Sequence, residues 1–118
     1  MRSAIVMDGR FRVFDDGRVF DIKNGVKTPA KIYKFGEKKD YAHVRIRKDG
    51  KWSFIGVHRL VAIAFIPNPE NKPLVNHKDG DTLWNCVNNL EWVTHSENTR
   101  HAYDMAIINP LRGAEPCV

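Results

Sequence analysis

Apolar and polar residues alternate with a period of two through much of the first half of the chain. Phe11 and Val13 interleave with Arg10 and Arg12, Val19-Phe20-Asp21-Ile22 returns after Asp16-Gly17, and Lys31 to Phe35 alternates again. Asp16-Gly17 and Asn24-Gly25 supply the turns, because glycine accepts positive φ without steric cost. The clearest strand is Tyr41 to Arg47, with Ala42, Val44 and Ile46 on one face and Tyr41, His43, Arg45 and Arg47 on the other. Asp49-Gly50 turns the chain and Trp52 to Val57 forms the partner strand. Residues 10–57 therefore predict one antiparallel sheet with an apolar face and a basic, aromatic-bearing face.

The period changes at residue 57. Val57, Leu60, Val61, Ala64 and Phe65 lie at i, i+3, i+4, i+7 and i+8, a single helical stripe that Pro67 and Pro69 bring to an end. Leu74 to His77 predicts a short strand, Asp79-Gly80 a turn, residues 81–89 (DTLWNCVNN) an asparagine-dense loop, and Leu90 to Val93 a second strand. Thr94-His95-Ser96-Glu97 has the spacing of a capping box, so a helix is expected from about His95 to Ala106, and residues 107–118 read as a tail. The order is strand, loop, strand, helix. The expected class is α+β: a small antiparallel module over residues 1–56, a core with its leading helix over 57–106, and the tail at 107–118, together one compact unit.

Composition narrows the function classes. A chain of 118 residues, 42% hydrophobic and 28% charged, suits one soluble globular domain. No apolar run approaches the roughly 20 residues of a membrane span, and residues 1–20 lack the apolar centre of a signal peptide, so a cytoplasmic protein is expected. Two cysteines, Cys86 and Cys117, without a CxxC pair argue against structural zinc and are expected as free thiols. A net charge of +5 and a pI near 9.4 favour a polyanionic partner.

The second half carries a set of groups suited to phosphodiester hydrolysis. That reaction needs a base beside the attacking water and a hard cation at the phosphate. His77, at the end of the first short strand, is a candidate base near neutral pH. Asn76 and Asn98 offer amide oxygens able to ligate magnesium, with the substrate phosphate contributing the negative charge they lack. Asn89 closes the loop, where its amide can hydrogen-bond backbone and orient the imidazole. Asparagine is also common in turns for purely local reasons, so these residue types alone leave a structural role open.

Residues 57–103 (VHRLVAIAFIPNPENKPLVNHKDGDTLWNCVNNLEWVTHSENTRHAY) closely resemble the phage and intron-associated branch of HNH endonucleases. The likeness is dense in VHRLVA, AFIPNPENKP, VNHKDG and NNLEWVTHSEN. Its spacing agrees as well, with twelve positions from His77 to Asn89 and nine from Asn89 to Asn98. The upstream FRVFDDGRVFDI and YAHVRIRKDGKW segments are similar, less strongly, to the sheet modules that precede such cores. The resemblance implies a ββα-metal fold and cleavage of DNA to 5′-phosphate and 3′-hydroxyl ends, with nicking expected of a monomer. It assigns His77 as general base, Asn89 as the loop-shaping residue, and Asn98 and Asn76 as ligands of one divalent ion, Mg²⁺ with Mn²⁺ as substitute. His101, one turn beyond Asn98, is the fallback ligand. Double-stranded DNA is the expected partner, contacted through Arg45, Arg47, His43, Arg59 and Arg12, by a monomer or weak dimer away from membranes. The rival readings are a DNA-binding module of the same fold without catalysis, and a nuclease or binder directed at RNA.

Overall fold

The computed structural model describes residues 2–37 and 39–108, with side chains as far as residue 101. Alternation in the first half builds two antiparallel sheets rather than the single one expected. Strands β1 (Ser3–Val6), β2 (Phe11–Phe14), β3 (Val19–Lys23) and β4 (Val26–Pro29) form a meander in that order. Strands β5 (Tyr33–Phe35), β6 (Tyr41–Lys48) and β7 (Lys51–Gly56) form the second. The first ladder reaches Ala30, whose amide donates to the Val19 carbonyl at 3.0 Å in register with the Phe20–Pro29 pair, and β5 then pairs with β6 instead. β1 and β4 have no counterpart in the pattern reading, since β4 is exposed along its whole length and β1 buries nothing fully.

The turns use the residues their geometry requires. Asn24-Gly25 and Asp49-Gly50 both carry positive φ at the two central positions (51° and 77° in each pair), the twist that suits a two-residue hairpin. On β6, Ala42, Val44 and Ile46 are buried while Arg45 and Arg47 are exposed, as the alternation predicts.

Helix α1 (Val57–Phe65) is the hub. Leu60 and Val61 are wholly buried, and the helix packs on β1, β2, β6 and β7 and on the hairpin that follows it. That hairpin pairs β8 (Leu74–His77) with β9 (Leu90–Val93), matching Asn76 to Glu91 and His77 to Leu90. Helix α2 (His95–Ile108) lies against both strands and runs two residues further than expected. Its start is the anticipated capping box: the Thr94 amide donates to Glu97 Oε1 at 2.9 Å, and the Glu97 amide donates to Thr94 Oγ1 at 3.2 Å.

Residues 109–118, most of the expected tail and with it Cys117, lie outside the described residues. Cys86 is buried and disulfide-bonded rather than a free thiol. Trp84, Trp92 and Phe65 are half-buried, and Trp92 Nε1 donates to the Ile66 carbonyl at 2.9 Å. Among the described residues no helix is long and apolar enough to cross a membrane.

The first sheet braces the loop between β8 and β9. The Val87 amide donates to the Asp15 carbonyl at 2.8 Å, and Gly17 sits so close that a Cβ there would lie 2.9 Å from the Asn85 carbonyl oxygen. Gly9 has a similar φ (87° against 94°) and open space around it. Gly9→Ala should therefore cost about 1 kcal/mol, the left-handed backbone penalty alone. Gly17→Ala should cost roughly 2–3 kcal/mol, with the clash added. Equal losses in urea denaturation would show that the contact between turn and loop carries no weight.

Candidate active site

His77 stands at the end of β8, only 3% exposed. Its Nε2 lies 2.7 Å from Asn85 Oδ1, itself on a buried residue. A carboxamide oxygen can only accept, so Nε2 carries the proton and Nδ1 keeps the lone pair. Burial lowers the pKa of His77 below its ordinary value, against the smaller raising effects of the Asn85 hydrogen bond and of Asp79 and Asp81. The ring is therefore held neutral near pH 7, in one tautomer. Asn85 went unnoticed in the sequence because it is one of three asparagines in the last five positions of the loop.

Asn89, 2% exposed, ties the loop together instead of touching the ring. Its Oδ1 accepts from the Asp79 amide at 3.0 Å, while Nδ2 donates to Asp79 Oδ1 at 2.9 Å and to the Trp84 carbonyl at 3.1 Å. The Lys78 amide donates to the Asn89 carbonyl at 2.7 Å. The loop's ends are thus cross-linked immediately after His77, and its middle is tied down where Thr82 Oγ1 donates to the Asp40 carbonyl at 2.6 Å.

Helix α2 is fastened to the same turn. His101 Nε2 donates to the Lys78 carbonyl at 2.8 Å, which commits that nitrogen to the backbone. Asn98 is three residues earlier, on the same helix face, and so also near the hairpin. It is half-buried, and its carboxamide has no hydrogen-bond partner among the described residues. Asn76 is buried and donates from Nδ2 to Glu91 Oε2 at 2.9 Å. Among the described residues no group of three or more His, Cys, Asp or Glu is gathered for a metal. The donors available are carboxamide oxygens. They fit a hard divalent cation that keeps waters and takes phosphate oxygens, and they do not fit structural zinc.

His58, off the α1 stripe, packs beside the site. Its ring centroid is 5.0 Å from that of His77 and 5.5 Å from that of Tyr41. Burial, then His77, His43 and Arg59, lower its pKa from 6.5 to about 3. Its Nδ1 is buried without a hydrogen-bond partner among the described residues. Gly56 makes room for it, since a Cβ there would lie 2.5 Å from the His58 ring. The neutral imidazole is thus a filler against which His77 packs.

The expected DNA-contacting residues do not form one patch. Arg45 and Arg47 are exposed and their guanidinium groups lie over the exposed Trp52 ring, at 4.2 and 5.3 Å. His43 stacks on Phe35 with centroids 3.8 Å apart. Arg59 donates to the Pro73 carbonyl at 2.9 Å, and Arg12 to Ser3 Oγ at 2.9 Å on the first sheet. A cleft of about 230 Å³ between the two sheets collects Arg10, Lys23, Lys31 and Arg45 beside Tyr33 and Trp52, and Arg10 bridges it by donating to the Arg47 carbonyl at 3.3 Å.

A hairpin ending in a buried neutral histidine, with a helix across it that carries a carboxamide, is the ββα architecture of metal-dependent nucleases. Residues 56–100 match the family model described as HNH endonuclease. The DNA endonuclease I-HmuI of Bacillus phage SP01 is 35% identical over 102 residues, covering 86% of this chain and 56% of that protein. An uncharacterised HNH endonuclease of Acanthamoeba polyphaga mimivirus is 53% identical over 60 residues, 49% of this chain and 15% of its own length. The solved structure of the HNH homing endonuclease I-HmuI superposes with a TM-score of 0.71 at 31% identity, covering 93% of this chain and 62% of that one. Residues 56–100 thus match the HNH endonuclease family, and the chain as a whole is similar in fold to I-HmuI. It spans at most about half the length of the curated relatives it matches, 56% in the case of I-HmuI.

The histidine pair has a consequence for stability. The pKa of His58 is about 3 in the fold against 6.5 as a free group, so unfolding takes up a proton below pH 6.5. Its contribution is complete above that pH and is lost as pH falls towards 3. The wild type should lose stability by about 1.4 kcal/mol more per pH unit between pH 6 and 4 than His58→Gln, which has no titrating group there. Parallel pH profiles in denaturant melts would contradict the assignment.

Proposed function

We propose that this chain is a metal-dependent DNA endonuclease of the HNH type, hydrolysing phosphodiester bonds to 5′-phosphate and 3′-hydroxyl ends and nicking as a monomer. The observation that carries the reading is the His77 ring, neutral, buried and held in one tautomer by Asn85 at the mouth of the loop. Nδ1 takes the proton from a water beside the scissile phosphorus, while Nε2–H stays on Asn85 Oδ1 and keeps the ring from rotating. Asn89 maintains the loop that carries Asn85. Asn76 and Asn98 supply carboxamide oxygens for one divalent ion, Mg²⁺ or Mn²⁺, which when bound neutralises charge on the phosphate and the departing 3′ oxygen. His101 fastens α2 to the hairpin, leaving Asn98 as the ligand from that helix.

The division of labour follows the chain. Residues 1–56 hold DNA through the basic face around Arg45, Arg47 and Trp52, with His43 on the same strand and Arg12 on the first sheet as further contacts. Residues 57–106 cut, with Arg59 on the flank, and 107–118 follow as a tail. Double-stranded DNA is the substrate, in the cytoplasm of a host cell. I-HmuI, which shares the fold, is described as binding and cleaving DNA.

His77→Ala should abolish relaxation of supercoiled plasmid in Mg²⁺ or Mn²⁺, by at least about 100-fold, with DNA affinity within about twofold of wild type. Asn85→Ala should cost about 10-fold or more, because the ring is then free to turn. The fall of the wild-type rate on acidification should have its midpoint below pH 6.5, as the lowered pKa requires. Nicking by His77→Ala at the wild-type rate would remove the reaction centre. Absence of nicking by the wild type under either metal, with DNA binding intact, would leave a binding module, and preference for structured RNA in competition would redirect the substrate.

Arg45→Ala with Arg47→Ala should weaken DNA binding evenly across sequences and lower the dependence of log K on log salt by about 2, one per phosphate contact. An unchanged slope in fluorescence anisotropy titrations would take the second sheet out of the interface.

A further inference from the structure

Asn76 occupies a ligand position without bringing charge, and the residue opposite it on the hairpin is a carboxylate. Asn76 and Glu91 are direct partners in the β8–β9 register, and Asn76 Nδ2 donates to Glu91 Oε2 at 2.9 Å. Asn76 is 8% exposed, so its carboxamide is in a confined position.

From this pair we infer that Glu91 is the positioning residue of the metal site, fixing Asn76 with its carbonyl oxygen available to the cation. The inference rests on Asn76 being a ligand, as proposed above. A carboxamide presents an oxygen at one end and an NH₂ at the other, and only the oxygen can ligate. A carboxylate accepts and never donates, so against Glu91 only the NH₂ end is favourable. The carbonyl end is left unpaired on the opposite side. The charged acceptor also polarises the amide, drawing its hydrogens and raising electron density on Oδ1. Glu91 adds negative charge directly across the hairpin from the ligand, offset in part by Lys72, which is held mainly by Glu97 at 3.1 Å. Asn76 and Glu91 acting together thus approach what an aspartate at position 76 would do alone.

Glutamine at 91 removes this bias, because its own carboxamide can donate as readily as accept. The probe is Mn²⁺ alone, added to the full chain, and the readout is paramagnetic broadening of the Asn76 and Asn98 side-chain amide signals in nitrogen-15 NMR. The wild type should broaden both, and Glu91→Gln should need about 10-fold more Mn²⁺ for the same loss of signal. The double variant Asn76→Asp with Glu91→Gln moves the charge onto the ligand itself. It should recover wild-type sensitivity or better, read at Asn98, which a merely structural role for Glu91 would not produce. A cooperative thermal melt accompanies each variant. If Glu91→Gln alone fails to fold, the double variant decides: Mn²⁺ sensitivity at Asn98 equal to or above wild type supports the inference, and weaker sensitivity overturns it. Equal broadening in wild type and Glu91→Gln also overturns the role of Glu91 and leaves the nuclease reading intact. No broadening at Asn76 in the wild type overturns Asn76 as a ligand, and this inference with it, while the His77 assignment is judged separately by plasmid nicking.

Discussion

The hydrogen bond from His77 Nε2 to Asn85 Oδ1, 2.7 Å long and shielded from water, is the contact on which the rest of the site depends. Its strength lies less in energy than in what it forbids. A buried imidazole is neutral, and a neutral imidazole has two tautomers; an acceptor facing Nε2 selects the one in which Nδ1 is basic. The surroundings can be read as means of keeping Asn85 in place. Asn89 cross-links the two ends of the loop. Asp15 and Gly17 in the first sheet press on it from outside. Thr82 ties it to the turn before β6. A sheet that shares no strand with the β8–β9 hairpin therefore takes part in shaping its loop.

Electrostatics at this site come mostly from absence of charge. The His58 and His77 rings lie against each other, tilted, with centroids 5.0 Å apart, and neither can be protonated cheaply, because each protonated ring would meet desolvation and, for His58, a neighbouring histidine. The carboxamides of Asn76, Asn85, Asn89 and Asn98 carry dipoles without net charge. In such a neutral setting the attractive force for a cation must come from the substrate phosphate and from carboxylates behind the ligands. Under the proposed reading, the cation binds weakly to the chain alone, through those carboxylates, and more tightly once phosphate is added.

Much of this was legible in the chain. The i, i+3, i+4 stripe from Val57 marked α1 to its ends, the alternation around Val44 separated the buried face from the exposed one, and Thr94 and Glu97 marked the start of α2. His77 stood out as a histidine at a strand end before a polar loop. What was hidden depended on chain reversal in three dimensions. The split between two sheets is a change of partner between Pro29 and Tyr33, from β3 to β6, which a period-two pattern passes over. β4 buries nothing, so no pattern announces it. The choice of Asn85 over Asn89 as the partner of His77 depends on how a nine-residue loop closes, and both residues look alike in sequence. Cross-strand neighbours such as Asn76 and Glu91 are fifteen positions apart and become partners only once the register is known.

A titration of the histidine side chains by NMR, observed through the ring nitrogens, bears most directly on the claim that His77 is a neutral base with its proton on Nε2. The expected result is an Nε2–H tautomer for His77 throughout the neutral range and a midpoint below 6.5. A midpoint at or above 6.5, or a proton resident on Nδ1, would mean that Asn85 does not hold the ring as described and that the base must be sought elsewhere.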